Sequence, residues 1–165
     1  MRKVFVALVL IVLMSNVSIE AKKYKFNINN SYEVEIVRVG KKGEKYLCVS
    51  GKAASVDNAM DNAMQNAVVA CLFTGVEGTA YAGRIPAICD SVGAYHNNKK
   101  YFDDFFKKGE FMQYVRNVNS GYPSGANNVR KGFKSIVKLW VVVRYDALRE
   151  KMEKDGVVKS LDVYF

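Results

Sequence analysis

Cys89 and His96 lie within a few residues of each other, and their side chains are the best suited in this sequence to covalent chemistry. A thiol that is hydrogen-bonded to an imidazole can act as a nucleophile. His96 is the sole histidine, so a histidine-centred triad or a multi-histidine metal site would have to include it. The sequence between the two residues is typical of a loop and does not hold them in contact. We therefore expect Cys89 to be structural and His96 to lie on the surface. The sequence predicts that the protein is not an enzyme.

Two carboxylate pairs could in principle serve a glycosidase, because such enzymes use two acidic side chains across the scissile bond. Asp103 and Asp104 are adjacent, and Asp57 and Asp61 are four residues apart. Each pair falls on the polar side of a predicted helix, where solvated charges are common. The spacing of the three cysteines fits no zinc site. The sequence thus predicts no catalytic residue, no metal ligand and no cofactor.

Basic and aromatic residues offer a binding surface instead. The candidate partner-binding residues are Lys99, Tyr101, Phe105, Lys107 and Tyr122. Together they could face an acidic glycan or a lipid headgroup. Two other interpretations remain open: the rings of the segment 101–106 cover one end of the core, and the lysines only solvate the surface.

The first 21 residues have the pattern of a cleavable secretory signal. Arg2 and Lys3 precede an apolar stretch from Val4 to Met14, and Ile19-Glu20-Ala21 is an acceptable cleavage site. The apolar stretch is short for a membrane span, and no cysteine follows it for lipid attachment. We expect a secreted, periplasmic or outer-membrane-associated protein without a transmembrane span after cleavage.

A formal charge of +9 makes anionic surfaces plausible partners. Nucleic acid is not expected, because the predicted export signal separates the chain from it. The cysteines Cys48, Cys71 and Cys89 are odd in number, so one intrachain disulfide at most can form. A Cys71–Cys89 bridge and three unpaired thiols both remain open.

The stretch from Gly51 to Gly75 predicts the longest helix. Its small residues recur at the spacing of one helical face, which would let the helix sit close on a sheet: Ala59, Ala63, Ala67 and Ala70. Ser55 is the expected N-terminal cap, and Gly75 is expected to end the helix in the left-handed conformation. Asp, Asn and Gln residues are expected to cover the remaining sides.

The other elements follow from alternation and turn residues. Strands are predicted at 31–39 and 45–50, which form a hairpin, and at 111–118 and 136–145; the last is apolar on both faces, as a central strand is. Shorter helices are predicted from Asn98 to Gly109 and from Asp146 to Gly156, with a terminal strand or docked tail at 157–165. Residues 22–165 are thus expected to form a single α+β domain, in which a mainly antiparallel sheet carries one long Ala-faced helix and two shorter helices.

Two stretches resemble modules of the bacterial envelope. Tyr46 to Val69, with its small-Gly-x-Ala turn and A-x-x-x-A-x-x-x-A helix, looks like the N-terminal domain of flagellar assembly protein T and like small outer-membrane lipoproteins. Val137 to Gly156 resembles the strand and L-R-x-x-[ML]-E-x-x-G helix that close such modules. The resemblance implies a non-enzymatic interaction or assembly protein at the outer membrane, with envelope proteins as partners and a homo-oligomer as one form.

Overall fold

The computed structural model describes residues 22–89, 92–119 and 121–160. The predicted signal peptide, residues 1–21, and the end of the predicted tail, residues 161–165, lie outside the described residues. The described part is an α+β fold, as the sequence predicts: an antiparallel sheet with helices packed against it.

The sheet has five strands within the described residues: β1 Val34–Val39, β2 Glu44–Ala53, β3 Val115–Asn117, β4 Asn128–Lys131 and β5 Lys134–Arg144. Their order is β1-β2-β5-β3, and β4 pairs with β5 as well. One edge of β5 pairs with β2 from Ser135 to Arg144, while its other edge is shared by β3 and β4. The prediction that this segment is the central strand is confirmed.

The long helix, α1, spans Val56–Val69 and continues as a π-helix over Ala70–Thr74. The Ser55 hydroxyl accepts a hydrogen bond from the Asn58 N–H at 3.3 Å, which is the predicted N-terminal cap. All four alanines of the predicted face are fully buried. The helix crosses β2 closely, because a Cβ atom added at Gly51 would lie 2.0 Å from the carbonyl oxygen of Ala59.

Two expectations about α1 need correction. Gly75 ends it with φ 70° and ψ −177°, a positive-φ conformation that differs from the predicted left-handed one and that glycine alone adopts readily. Gln65 and Asn66 do not cover an exposed side but are buried. The Asn66 amide donates to the Ser50 carbonyl oxygen at 2.9 Å, because the polar flank of the helix turns toward β2.

The described residues form three further α-helices: α2 Val92–Asn97, α3 Lys99–Lys107 and α4 Tyr145–Lys154. Helix α3 corresponds to the predicted aromatic helix, and Gly109 ends it with φ +82°. Its rings join one hydrophobic core with α1, α4 and the inner face of the sheet. Helix α2 was not predicted; it follows an ordered segment in which Val76 and Ile85 pair as an isolated bridge.

The predicted strand over 111–118 is shorter in the structure. A 3₁₀ turn occupies Glu110–Gln113 and buries Phe111, so only Val115–Asn117 pairs with β5. The strand β4 is not among the strands that the sequence predicts. It forms because a two-residue turn, Gly132-Phe133, folds it back on β5.

The last helix starts at Tyr145, so Asp146 lies in its first turn instead of capping it. After Gly156 the chain docks against α4, since the N–H groups of Val157 and Val158 both donate to the Met152 carbonyl oxygen. Residues 157–160 therefore form a docked tail and not a strand.

Candidate functional site

The two lysines of the predicted partner-binding set, Lys99 and Lys107, share one carboxylate. Their ammonium groups lie 2.7 Å and 3.1 Å from Asp103 Oδ2, and the Tyr95 hydroxyl donates to Oδ1 at 3.0 Å. The Lys99 hydrogen bond, with those from Lys107 and Tyr95, lowers the pKa of the Asp103 carboxyl to about 2. Both lysines are therefore already paired within α3, which weakens the electrostatic attraction they could offer to an external anion.

The aromatic members of that set are separated by the fold. Phe105 is 1% exposed and packs in the core, so it cannot contact a partner. Tyr101 is half-buried, and its hydroxyl donates to Asp155 at 2.6 Å; burial and this carboxylate raise the Tyr101 pKa. Tyr122 is exposed but donates to Asp57 Oδ1 at 2.6 Å, at the start of α1. The five residues do not form one surface.

The cysteines and the histidine occupy different environments. Cys71 carries a free thiol, so the Cys71–Cys89 disulfide does not form. Burial raises the Cys71 pKa to about 12, and Cys89 is also fully buried in the core. His96 is exposed on α2 and its ring contacts that of Tyr95. Cys71 and Cys89 thus both pack within the hydrophobic core.

No cluster of three or more His, Cys, Asp or Glu side chains that could hold a metal ion occurs in residues 22–89, 92–119 and 121–160. Asp57 and Asp61 are engaged in separate contacts, with Tyr122 and Lys22 respectively. Asp104 pairs with Lys100 and Lys108, each at 3.2 Å. Each of these carboxylates thus has a structural partner.

The surface that the fold leaves open is the sheet face opposite α1. Along β5, Val137, Leu139 and Val141 point into the core, while Lys138 and Trp140 point away from it. The described helices pack on the inner face, and Trp140 lies outside the core cluster with 38% of its surface exposed. We call this the outer face and define it by Val37, Arg38, Tyr46, Cys48, Val118 and Trp140.

A shallow hollow of about 390 Å³ lies on the outer face. Its lining includes Val37, Tyr46, Val118 and Trp140. The Arg38 guanidinium stacks over the Tyr46 ring at 3.7 Å from its centroid, so this corner of the hollow combines an apolar surface with a positive charge.

The backbone around Trp140 is held on the β3 side. Its carbonyl oxygen accepts from the Val118 N–H at 2.9 Å, and its N–H donates to the Asn119 side chain at 2.8 Å. These bonds continue the β3–β5 pairing past the end of β3. Because hydrogen bonds hold the backbone of Trp140 in place, less conformational entropy is lost when a partner binds the indole.

Two ion pairs of the same sheet lie outside the lining of the hollow. Lys138 pairs with Glu33 at 2.9 Å, and Arg116 lies 3.9 Å from Glu44. A polar rim around a small apolar centre is typical of protein interfaces. The sequence indicates Trp140 through the alternation in β5, but Val37 reaches the same face because β1 bulges between Ile36 and Arg38.

No family model, curated protein or solved structure matches the chain. The resemblance to flagellar assembly protein T and to outer-membrane lipoproteins therefore stays a prediction. Within the part of the chain that the structure describes, no helix has the length and apolar character that crossing a membrane requires.

Proposed function

We propose that this chain is a non-enzymatic interaction module of the bacterial cell envelope, and that its outer face binds a partner protein. The observation that carries the proposal is the exposed Trp140 in an ordered apolar hollow that none of the described helices covers. Exposed apolar patches with polar rims mark interaction sites, and buried tryptophans supply much of the binding energy at such sites. The predicted export signal supports the compartment.

The face is a better docking surface than the free edge of β1. An edge strand can recruit a further strand, but β1 carries a bulge and the charged residues Glu35 and Arg38. These features oppose strand addition. A partner is therefore expected to cover the indole of Trp140 and not to extend the sheet.

The alternative function, binding of an acidic glycan or lipid at α3, has less support. Lys99 and Lys107 are both engaged with Asp103, and Phe105 is buried. An anion at this position would compete with an intramolecular carboxylate.

Site-specific photo-crosslinking tests the proposal. A photoreactive amino acid is placed at Val37 or Val118 on the outer face, and at Tyr81 as the control, because Tyr81 is 94% exposed at a turn within the segment 76–85. We expect the outer-face positions to give one shared adduct, either with a distinct envelope protein or with a second copy of the chain, and Tyr81 to give none.

The same adduct from all three positions, or no adduct from the outer face, would contradict the proposal. A second variant, Trp140→Ala, should abolish the adduct formed from position 37, whereas Tyr81→Ala should not. Equal denaturation midpoints for the two alanine variants would show that loss of the adduct reflects binding and not unfolding.

A further inference from the structure

A cleft of about 370 Å³ lies on the helical side of the sheet, between the segment Lys22–Asn30 and the first turns of α1. This volume is in the usual range of small-molecule sites, about 300–1,000 Å³. Its floor and walls come from three parts of the chain: the N-terminal segment, the end of β2 with the start of β5, and α1. The cleft is separate from the outer face, which lies on the other side of the sheet.

The N-terminal wall of the cleft is docked on the protein. The Tyr24 N–H donates to the Lys107 carbonyl oxygen at 3.0 Å, and the Phe26 ring stacks on Phe106 with centroids 4.2 Å apart. Lys22 forms an ion pair with Asp61 of α1 across the cleft. The cleft therefore has fixed sides, so a ligand would bind a largely formed site.

Two amide side chains of α1, those of Asn62 and Gln65, line the cleft. The Asn62 Nδ2 group donates to the Lys52 carbonyl oxygen at 3.2 Å, but its Oδ1 atom is buried and has no partner among the described residues. Gln65 also lines the cleft and is only 2% exposed. Buried polar atoms without partners are uncommon and costly, so Asn62 Oδ1 points to a hydrogen-bond donor supplied from the cleft.

The charge around the cleft is strongly positive. Five lysines line it against one acidic residue, Asp61: Lys22, Lys23, Lys25, Lys52 and Lys134. Lys22 already neutralises Asp61, while the other four form no ion pair with a carboxylate in the described part of the chain. Low-dielectric walls concentrate such a field on an anion in the cleft.

We infer that this cleft binds an acidic sugar, that is, a small carboxylate that also carries several hydroxyl groups. The carboxylate would lie near the four lysines that form no ion pair, and a hydroxyl group, which can donate, would complete the hydrogen bonding of Asn62 Oδ1 beside Gln65. Simple anions lack the donors that Asn62 Oδ1 needs, and neutral sugars do not use the lysines. The inference goes beyond the proposed function and does not depend on it.

Titration of the purified protein with three probes tests the ligand class. The probes are glucuronate, glucose and acetate, followed by calorimetry or by amide chemical shifts in NMR. We expect saturable binding of glucuronate that weakens with added salt, with glucose and acetate each at least about tenfold weaker. If acetate bound as tightly as glucuronate, the cleft would be a general anion site and not a site for acidic sugars. If glucose bound as tightly as glucuronate, the lysine charges would have no role in binding. No saturable binding at millimolar glucuronate would overturn the inference.

Variants place the binding in the cleft. Lys25→Glu and Lys134→Glu should each weaken glucuronate binding about fivefold or more, whereas Lys41→Glu, at the β1–β2 turn away from the cleft, should not. Equal effects of all three would show only a response to net charge.

Gln65→Met separates a ligand role from a structural one. Methionine has a similar length and can fill the same buried position, so the melting temperature should change little. Glucuronate affinity should nevertheless fall about tenfold. Unchanged affinity in this variant would overturn the assignment of the site.

Discussion

Gly51 permits the close contact between α1 and β2, and Gly51→Ala tests how much of the fold depends on it. The added Cβ atom would lie 2.0 Å from the Ala59 carbonyl oxygen and 2.4 Å from the Ala63 nitrogen. Both atoms belong to the helix backbone, so no side-chain rotation can relieve the overlap. The helix would have to retreat by about 1.4 Å to restore a contact of 3.4 Å.

The magnitude follows from what that retreat costs. A gap of about 0.5–1 Å already removes a quarter to a half of the attraction between packed atoms, and the Ala-lined face of α1 is fully buried over its whole length. Overpacking commonly costs about 1–3 kcal/mol, and we expect Gly51→Ala to lie at or above the upper value, because the overlap is with backbone. Against a total stability of about 5–15 kcal/mol, this is a large loss.

Urea unfolding, followed by fluorescence of Trp140 and by circular dichroism, measures the effect; Trp140 is the only tryptophan. Gly83→Ala is the matched control, since a Cβ there meets no atom within 4 Å, and it should be neutral or stabilise by up to about 1 kcal/mol. The double variant Gly51→Ala with Ala63→Gly should not recover, because it removes one methyl contact but leaves both backbone overlaps. Equal midpoints for Gly51→Ala and Gly83→Ala would refute the close packing of α1 on β2.

Two further predictions concern titrating groups. Because the Asp103 pKa is lowered from 3.8 to about 2 in the folded state, its ion pairs stabilise the protein above about pH 4, and this contribution is lost as the pH falls through about 2. Asp103→Asn should therefore lower the urea midpoint at neutral pH. Between about pH 4 and pH 2 the midpoint should fall less in this variant than in the unchanged protein. An equal fall in both proteins would contradict the lowered pKa of Asp103. When the native protein is treated with a thiol reagent near neutral pH, Cys71 should remain unlabelled. After denaturation without a reductant, the Cys71 thiol should become accessible to alkylation. Recovery of a Cys71–Cys89 disulfide would contradict the structure.

The sequence predicts those helices and strands whose pattern of apolar and polar residues lies within a single segment. The alanine spacing of α1 and the two-sided apolar pattern of β5 each hold within one segment, and both predictions are confirmed. The strand β4, in contrast, reads N-V-R-K with Val129 as its single apolar residue. It becomes a strand because the turn at Gly132 pairs it with β5, and such pairing cannot be read from four residues of which three are polar.

The candidate surfaces show the same limit. Tyr101 and Phe105 lie at helical spacing in the sequence, but whether their rings face the core or a partner depends on what packs over α3. Gln65 and Asn66 are polar residues on an apparently polar flank, and they become buried because β2 and the N-terminal segment approach that flank. Contacts between distant parts of the chain, and not local pattern, therefore create both the core role of Phe105 and the cleft.

The two proposed surfaces share β2 but depend on α1 differently. The cleft requires α1 to stay close to the strand, because Asn62 donates to the Lys52 carbonyl oxygen and Gln65 lies one turn further along the helix. The outer face is built from the opposite side of the sheet and from the β3–β5 pairing around Trp140. A change that moves α1 without unfolding the sheet should thus weaken glucuronate binding and leave crosslinking from position 37 intact, whereas joint loss of both would mean that the sheet itself has unfolded.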